Sequence, residues 1–128
     1  MKEYLVQPEG LSPVNGYSHA VAFSGRLITV SGQVPLDSEG NLVGRGDPYA
    51  QARQVFGNLA TALAPGGAAL TDVVKLTIYL TDMRDLEAVR QARDESISPD
   101  RPPASSLVQV SGLVHPAFRV EIEALAVA

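Results

Sequence analysis

Two glutamates, Glu121 and Glu123, lie two residues apart in a stretch where apolar and polar residues alternate. In a β-strand this spacing puts both carboxylates on one face, with Cα atoms about 6.6–6.8 Å apart. Paired carboxylates can serve as general acid and base, or hydrolyse a glycosidic bond at a suitable separation. Strands also carry such pairs where a carboxylate only neutralises a basic neighbour such as Arg119, so the spacing leaves both readings open.

Three other residues could contact a ligand. Tyr17 follows a turn and could offer its hydroxyl, although loop tyrosines often only pack. Ser105 follows two prolines and an alanine, and no His or Lys stands close in sequence to activate it, which disfavours serine catalysis. Gly32 interrupts an apolar strand run, as a bulge or a close backbone approach requires, and its N–H could bind an anion or a carbonyl.

The bulk composition excludes several function classes. The net charge is −4, and the ten Lys and Arg residues are scattered, which argues against a nucleic-acid partner. There is no cysteine, and the two histidines, His19 and His115, have no metal-ligand spacing, so no metal site is expected. No apolar run approaches the roughly 18 residues of a membrane span, and residues 1–4 do not begin a signal peptide. We therefore expect a cytoplasmic protein with no membrane partner.

The elements that would position these residues form a single domain over residues 1–128. Asp47 and Pro48 are a typical helix start, and apolar residues then recur on one face: Ala52, Val55, Phe56, Leu59 and Leu63. A second helix is predicted after residue 82. Strands are predicted near residues 4–6, 18–24, 26–34, 73–80, 104–110 and 117–127, with a hairpin turn at Ser24-Gly25.

Two helices can cover only one face of such a sheet. In the last strand Val120, Ile122 and Ala124 share a face suited to packing under helices, whereas the opposite face mixes glutamates with Leu125 and Val127. A face that is half apolar and half charged is what a subunit interface with an embedded polar site needs. A solvated sheet face with a few apolar residues is the alternative.

Six segments, in this order, resemble the Rid family of reactive intermediate deaminases, also called the YjgF or L-PSP family. They are residues 16–20 (GYSHA), 27–35 (LITVSGQVP), 50–54 with 58–59 (AQARQ with NL), 73–80 (VVKLTIYL), 103–106 (PASS) and 120–126 (VEIEALA). The resemblance runs from about residue 15 to the end of the chain with ordinary spacing. No single motif is decisive, but the ordered set is.

The resemblance implies a chorismate-mutase-like α+β fold, with a mixed sheet of about six strands, two helices on one face, and a homotrimer with ligand clefts between subunits. Family members that are enzymes hydrolyse imines to keto acids and ammonia, and no metal or organic cofactor is implied. By position, Glu121 matches the glutamate that activates water. Tyr17 and the backbone of Ser31 and Gly32 match the substrate-binding groups.

Three positions depart from the family's pattern. Ser105 stands where the enzymes have the arginine that clamps the substrate carboxylate, Leu107 replaces a frequent cysteine, and Arg90 replaces a frequent helix asparagine. A hydrogen bond to a charged group contributes about 1.5–3 kcal/mol, so losing the clamp weakens carboxylate binding by roughly one to two orders of magnitude. Either Arg90, Arg101 or Arg119 reaches the cleft instead, or the ligand is neutral and Ser105 donates to it.

The first functional hypothesis is therefore a divergent imine or enamine hydrolase with specificity shifted away from 2-aminoacrylate. Glu121 would handle the water, Tyr17 and Gly32 would position the substrate, and Ser105 would tune specificity. The alternative is a non-catalytic trimer that binds a small metabolite in the same cleft as a sensor or partner protein. Ribonuclease activity is the third possibility, and the acidic charge disfavours it most.

Overall fold

A computed structural model describes all residues, 1–128, and contains six strands and two α-helices, as predicted. In chain order these are β1 (Lys2–Leu5), β2 (Ala20–Phe23), β3 (Leu27–Gln33), α1 (Pro48–Leu63), β4 (Val73–Leu80), α2 (Leu86–Ser96), β5 (Ala104–Gln109) and β6 (Val120–Val127). Short 3₁₀ turns cover Ala64–Gly66, Leu70–Asp72 and Met83–Asp85. Neither α-helix has the length and apolar character needed to cross a membrane.

The first helix begins as its sequence predicts. The Asp47 carboxylate accepts a hydrogen bond from the Ala50 backbone N–H at 3.1 Å, and Pro48 occupies the first helical position, where a missing N–H costs nothing. All five predicted apolar residues of its inner face are buried. The 3₁₀ turn that follows is capped by Gly67, whose φ of 80° favours glycine. The second helix begins at Leu86, and Asp82 caps the preceding 3₁₀ turn rather than the helix itself.

The six strands form two sheets instead of the single sheet that we predicted. Four strands have the order β3-β6-β4-β5, in which β6 is antiparallel to both neighbours and β5 is parallel to β4. The other two strands, β1 and β2, form a separate antiparallel pair. The hairpin predicted at Ser24-Gly25 is wrong: Gly25, with φ of 133°, leads the chain from one sheet into the other, so β2 and β3 have different partners.

The hydrophobic core lies between the helices and one face of the four-stranded sheet. Val120, Ile122 and Ala124 of β6 are buried there, as their alternation predicts. The opposite face is open in a single chain. Glu123 is exposed on it, and two apolar side chains of the same face, Leu27 and Val108, are 55% and 44% exposed. The open face is therefore mixed in polarity, and it carries the glutamates.

A buried glutamine connects the first helix to the strand that bears Glu121. Gln51 is fully buried, and its Nε2 donates to the carbonyl oxygens of Gly44 and Ala117 at 3.1 and 3.0 Å. Its Oε1 accepts from the backbone N–H of Arg119 at 2.8 Å. These three bonds are made to backbone groups outside the hydrogen-bonding ladders of the β-sheets, and they fix the chain where it approaches β6.

Replacing Gln51 by leucine is expected to lower the free energy of unfolding by at least about 2 kcal/mol, because the Ala117 carbonyl and the Arg119 N–H lose their partner in a buried place. The Gly44 carbonyl keeps its hydrogen bond from the Asp47 N–H. Urea denaturation measures the change. The matched control is Gln91→Leu, an exposed glutamine of the second helix, whose effect is expected to stay within about 0.5 kcal/mol. Equal midpoints for the two variants would show that the Gln51 hydrogen bonds contribute no net stability.

Candidate active site

Glu121 lies on the open face of β6 and is half-buried. Its side chain extends over Gly32 of the neighbouring strand β3. A Cβ atom added to Gly32 would overlap Glu121 Oε2 and would lie 2.8 Å from Cδ and 3.0 Å from Cγ. Real Cβ atoms do not approach carbon atoms so closely. Glycine at this position therefore gives the carboxylate its room, and the structure brings these two predicted site residues together.

The strand below the carboxylate carries a β-bulge. Val30 pairs with Ala124 and Gln33 pairs with Ile122, so Ser31 and Gly32 together oppose the single residue Glu123. An extra residue of this kind disrupts the ladder locally and is frequent next to active sites. The bulge that the glycine predicted is confirmed. Irregular backbone thus lies directly beside Glu121, where it can turn peptide groups toward a ligand.

The second glutamate of the pair has a different environment. Tyr79 donates a hydrogen bond from its hydroxyl to Glu123 Oε1 at 2.6 Å. This hydrogen bond, with burial and the charges of Glu123 and then Glu121, raises the pKa of Tyr79 above its usual value. Glu123 is therefore engaged by a phenol that stays protonated, whereas Glu121 reaches across to β3. Of the two carboxylates, Glu121 is the one placed beside irregular backbone.

Tyr17 and Ser105 lie near each other at the far edge of the sheet. Ser18, which follows Tyr17, forms a parallel bridge with Ala104, which precedes Ser105, and the Ser18 N–H donates to the carbonyl of Pro103 at 3.0 Å. The Ser18 hydroxyl also donates to the carbonyl of Pro102 at 2.5 Å. These bonds hold the loop of Tyr17 against the start of β5. The half-buried Tyr17 ring packs edge-on against a histidine ring at 5.6 Å.

A single chain does not bring all the predicted residues into one place. Ser105 pairs with Leu76 of the core and so points toward the helix side, whereas Glu121 pairs with Tyr79 on the open face. Strands β5 and β3 are the two outer strands, about 14 Å apart at the usual strand spacing. We call Ser31, Gly32 and Glu121 the carboxylate half-site, and Tyr17 and Ser105 the loop half-site.

The structure separates the three candidate arginines. Asp85 is buried and accepts two hydrogen bonds from Arg119, at 2.7 and 2.9 Å, which raise the pKa of the guanidinium. Arg119 is thereby committed to the fold, and its partner lies 34 positions away in the sequence, too far for sequence reasoning to identify it. Arg101 is exposed. Arg90, on α2, lines an open cavity together with Asn15, which lies two residues before Tyr17.

No group of three or more His, Asp or Glu side chains is arranged to hold a metal ion. The predicted site residues offer carboxylates, hydroxyls, a guanidinium and backbone amides. Together they can polarise a water molecule and orient a small polar ligand.

Comparison with known proteins gives the same assignment along the whole chain. The sequence model of the family described as "Endoribonuclease L-PSP" matches residues 8–128. A RutC family protein of Pyrococcus horikoshii is 34% identical over 126 residues, 98% of each chain. The 3-aminoacrylate deaminase RutC of Acinetobacter baylyi is 34% identical with the same coverage. A Rid family protein of unknown function from Yersinia pestis has a solved structure with a TM-score of 0.88 and 36% identity, covering 99% of this chain and 98% of its own. The chain belongs to the L-PSP family, also called the YjgF or Rid family.

Proposed function

We propose that this protein hydrolyses the C=N bond of a small reactive imine, or of the enamine that tautomerises to it, and releases ammonia and a carbonyl compound. The observation that carries the proposal is the Glu121 carboxylate over the bulge at Gly32. A similar activity belongs by name to the A. baylyi relative, a 3-aminoacrylate deaminase. Hydrolysis of this kind needs general acid and base help and no cofactor.

Glu121 acts on the attacking water. It takes one proton as the water oxygen bonds to the C=N carbon and the π electron pair moves to nitrogen, and it then passes that proton to the nitrogen. In the carbinolamine that results, the hydroxyl proton moves through Glu121 to the nitrogen. The C–N bond then breaks, the carbonyl forms, and ammonia leaves. One water is consumed, and Glu121 ends in the form in which it began.

The complete site is assembled, in this proposal, from two subunits of a homotrimer, with the loop half-site of one facing the carboxylate half-site of the next. Tyr17, Ser105 and Arg90 then bind the part of the substrate that does not react, and the backbone at Ser31 and Gly32 binds near the reacting carbon. Support comes from the separation of the half-sites across the sheet and from the exposed Leu27 and Val108 of the open face. Such apolar groups are what a subunit interface buries.

Position 105 sets the substrate preference. Serine offers one neutral donor where arginine offers two parallel charge-assisted hydrogen bonds. We expect Ser105→Arg to raise kcat/KM for the imine of 2-aminoacrylate by about 10- to 100-fold. Ammonia release from imines made in situ by an amino-acid oxidase measures it.

The matched control is Ser38→Arg, which places the same charge on an exposed loop and is expected to leave the rate unchanged. The panel also contains neutral imines, whose hydrolysis should not rise with Ser105→Arg. A wild-type protein that already hydrolyses the 2-aminoacrylate imine quickly, with no gain from Ser105→Arg, would contradict the assigned role of position 105.

Two other functions compete with this one. The missing arginine favours a non-catalytic metabolite-binding protein, which would bind ligand in the same cleft and release no ammonia above background. The family's name favours a ribonuclease. Against it, the net charge is −4, and five of the ten basic side chains, those of Lys2, Arg84, Arg90, Arg93 and Arg119, lie within 4 Å of a carboxylate. Salt-sensitive RNA cleavage that co-purifies with the protein would support ribonuclease activity.

A further inference from the structure

Arg93 of the second helix is a charged residue that is almost completely buried. Only 6% of its side chain is exposed. Its carboxylate partner is the next residue, Asp94, whose Oδ1 accepts from Nε at 3.0 Å and from Nη2 at 2.9 Å. Asp94 is itself 63% exposed, and an ion pair with such a partner contributes little net stability. The ion pair alone therefore does not explain why a guanidinium is buried here.

The guanidinium of Arg93 lies against the loop that carries Tyr17. Gly16 has a φ of 71°, and a Cβ atom added to it would overlap Arg93 Nη2 and would lie 2.5 Å from Cζ and 2.9 Å from Nε. Real Cβ atoms do not approach other atoms so closely. Arg93 Nη2 also donates to Asn15 Oδ1 at 3.3 Å. The guanidinium thus occupies the space that a side chain at position 16 would fill, and it contacts both residues that precede Tyr17.

Tyr17 is consequently held from both sides. On its other side, Ser18 donates hydrogen bonds to the carbonyls of Pro102 and Pro103, just before β5. Those bonds attach the loop to the sheet, whereas Arg93 attaches it to the second helix. Tyr17 is the single residue between the two attachments, so the place of its ring depends on both.

We infer that Arg93 is a positioning residue of the loop half-site, which holds Asn15 and Gly16 so that the Tyr17 hydroxyl is presented to the substrate. The inference rests on the proposed function, which assigns Tyr17 to substrate binding, and deepens it. The buried guanidinium does not itself contact the substrate. Because Tyr17 binds the part of the substrate that does not react, loss of Arg93 weakens the binding of substrate and transition state alike. Such a loss raises KM and leaves kcat unchanged.

The first test is kinetic. Arg93→Met is expected to raise KM about 2- to 10-fold, the effect of losing one hydrogen bond to the substrate, and to leave kcat within about 2-fold of the wild type. The substrate is the oxidase-generated imine of the panel that the wild type hydrolyses fastest. Arg93→Lys should raise KM less, because it keeps the charge and the long stem. Arg53→Met makes the same change at an exposed arginine of the first helix and should alter neither constant.

A double-mutant cycle tests whether the effect passes through Tyr17. Tyr17→Phe lacks the hydroxyl, so adding Arg93→Met to it should raise KM no further. If the two effects on KM multiply instead, Arg93 does not act through the Tyr17 hydroxyl and the inference is overturned. Gly16→Ala disturbs the same contact from the loop and leaves the helix unchanged. It should raise KM over the same range, and it takes the place of Arg93→Met in the cycle if that variant does not fold.

An NMR measurement observes the position of Tyr17 without turnover. Its ring lies edge-on to the His19 ring with centroids 5.6 Å apart, close enough for a nuclear Overhauser effect between their protons. This effect should weaken in Arg93→Met and persist in Arg53→Met. An undiminished effect in Arg93→Met would overturn the inference, and so would a weakened effect with an unchanged KM.

The two measurements separate this inference from the catalytic proposal. If the ring contact is lost in Arg93→Met while the wild type hydrolyses no imine of the panel, Arg93 positions Tyr17 and the catalytic proposal fails. If ammonia is released while Arg93→Met changes neither KM nor the ring contact, the catalytic proposal stands and the role of Arg93 is rejected.

Discussion

Glutamine at position 121 is expected to lower kcat for ammonia release by about 10²- to 10⁴-fold, the range that a positioned general base contributes. The change keeps the size of the side chain and its place over Gly32 but removes the basic oxygen that accepts the proton from water. Substrate binding should change little, because the proposal assigns binding to groups other than the Glu121 carboxylate. The measurement is steady-state ammonia release, with ligand affinity determined separately by calorimetry.

The chain supplies its own control for this variant. Glu123→Gln makes the same chemical change two residues away on the same strand, at a carboxylate that the Tyr79 hydroxyl already occupies. It is expected to keep kcat within a few-fold of the wild type. If both variants keep the wild-type rate, water activation by Glu121 is wrong. If neither variant nor the wild type exceeds background while all three bind ligand, the protein is a metabolite binder and not an enzyme.

Alanine at position 32 is expected to lower kcat/KM by about 100-fold while leaving the fold intact. The added methyl group overlaps the Glu121 carboxylate, which has to move by roughly 1 Å to reach an ordinary contact. A misplacement of that size can cost about 10² in rate. The free energy of unfolding should hardly change, because the displaced atoms are the end of a flexible side chain beside open space. The variant therefore tests the position of the Glu121 carboxylate without disturbing the fold.

Gly57→Ala is the matched control for this second substitution. Gly57 lies within the first helix with no neighbouring atom within 4 Å of an added Cβ. Alanine there should leave activity unchanged and raise stability by about 0.5–1 kcal/mol, the usual gain within a helix. Activity assays and thermal unfolding of Gly32→Ala and Gly57→Ala measure these two effects. Full activity in Gly32→Ala would mean that the carboxylate is not needed where the structure puts it.

Sequence reasoning succeeded where the determinants are local. The start of the first helix follows from Asp47 and Pro48, whose side chain and ring act on the first turn itself. The buried face of β6 follows from strict alternation, since a strand exposes every second residue to the same side. The bulge at Gly32 agrees with the sequence pattern, because glycine in an apolar strand run indicates a bulge or a close backbone approach.

The errors and omissions arise from pairing between distant segments. Nothing in the sequence near Ser24-Gly25 indicates that β2 pairs with β1 and that β3 pairs with β6. The helix-side orientation of Ser105 depends on its register against Leu76. For the same reason the sequence did not show that its half-site lies apart from Glu121. The buried bonds of Gln51 were missed too, since an isolated glutamine within a helix gives no signal of burial.

The position of β6 between β3 and β4 has a consequence for how the protein forms during synthesis. Residues paired between β3 and β6 are roughly 90 to 100 positions apart, so β3 leaves the ribosome long before its neighbour exists. At about 5–20 residues per second the delay is about 5 to 20 s. During that time β3 presents an unpaired apolar edge that a chaperone, or another nascent chain, can bind. The carboxylate half-site joins the same two strands, and so it comes into being only when translation has reached Glu121.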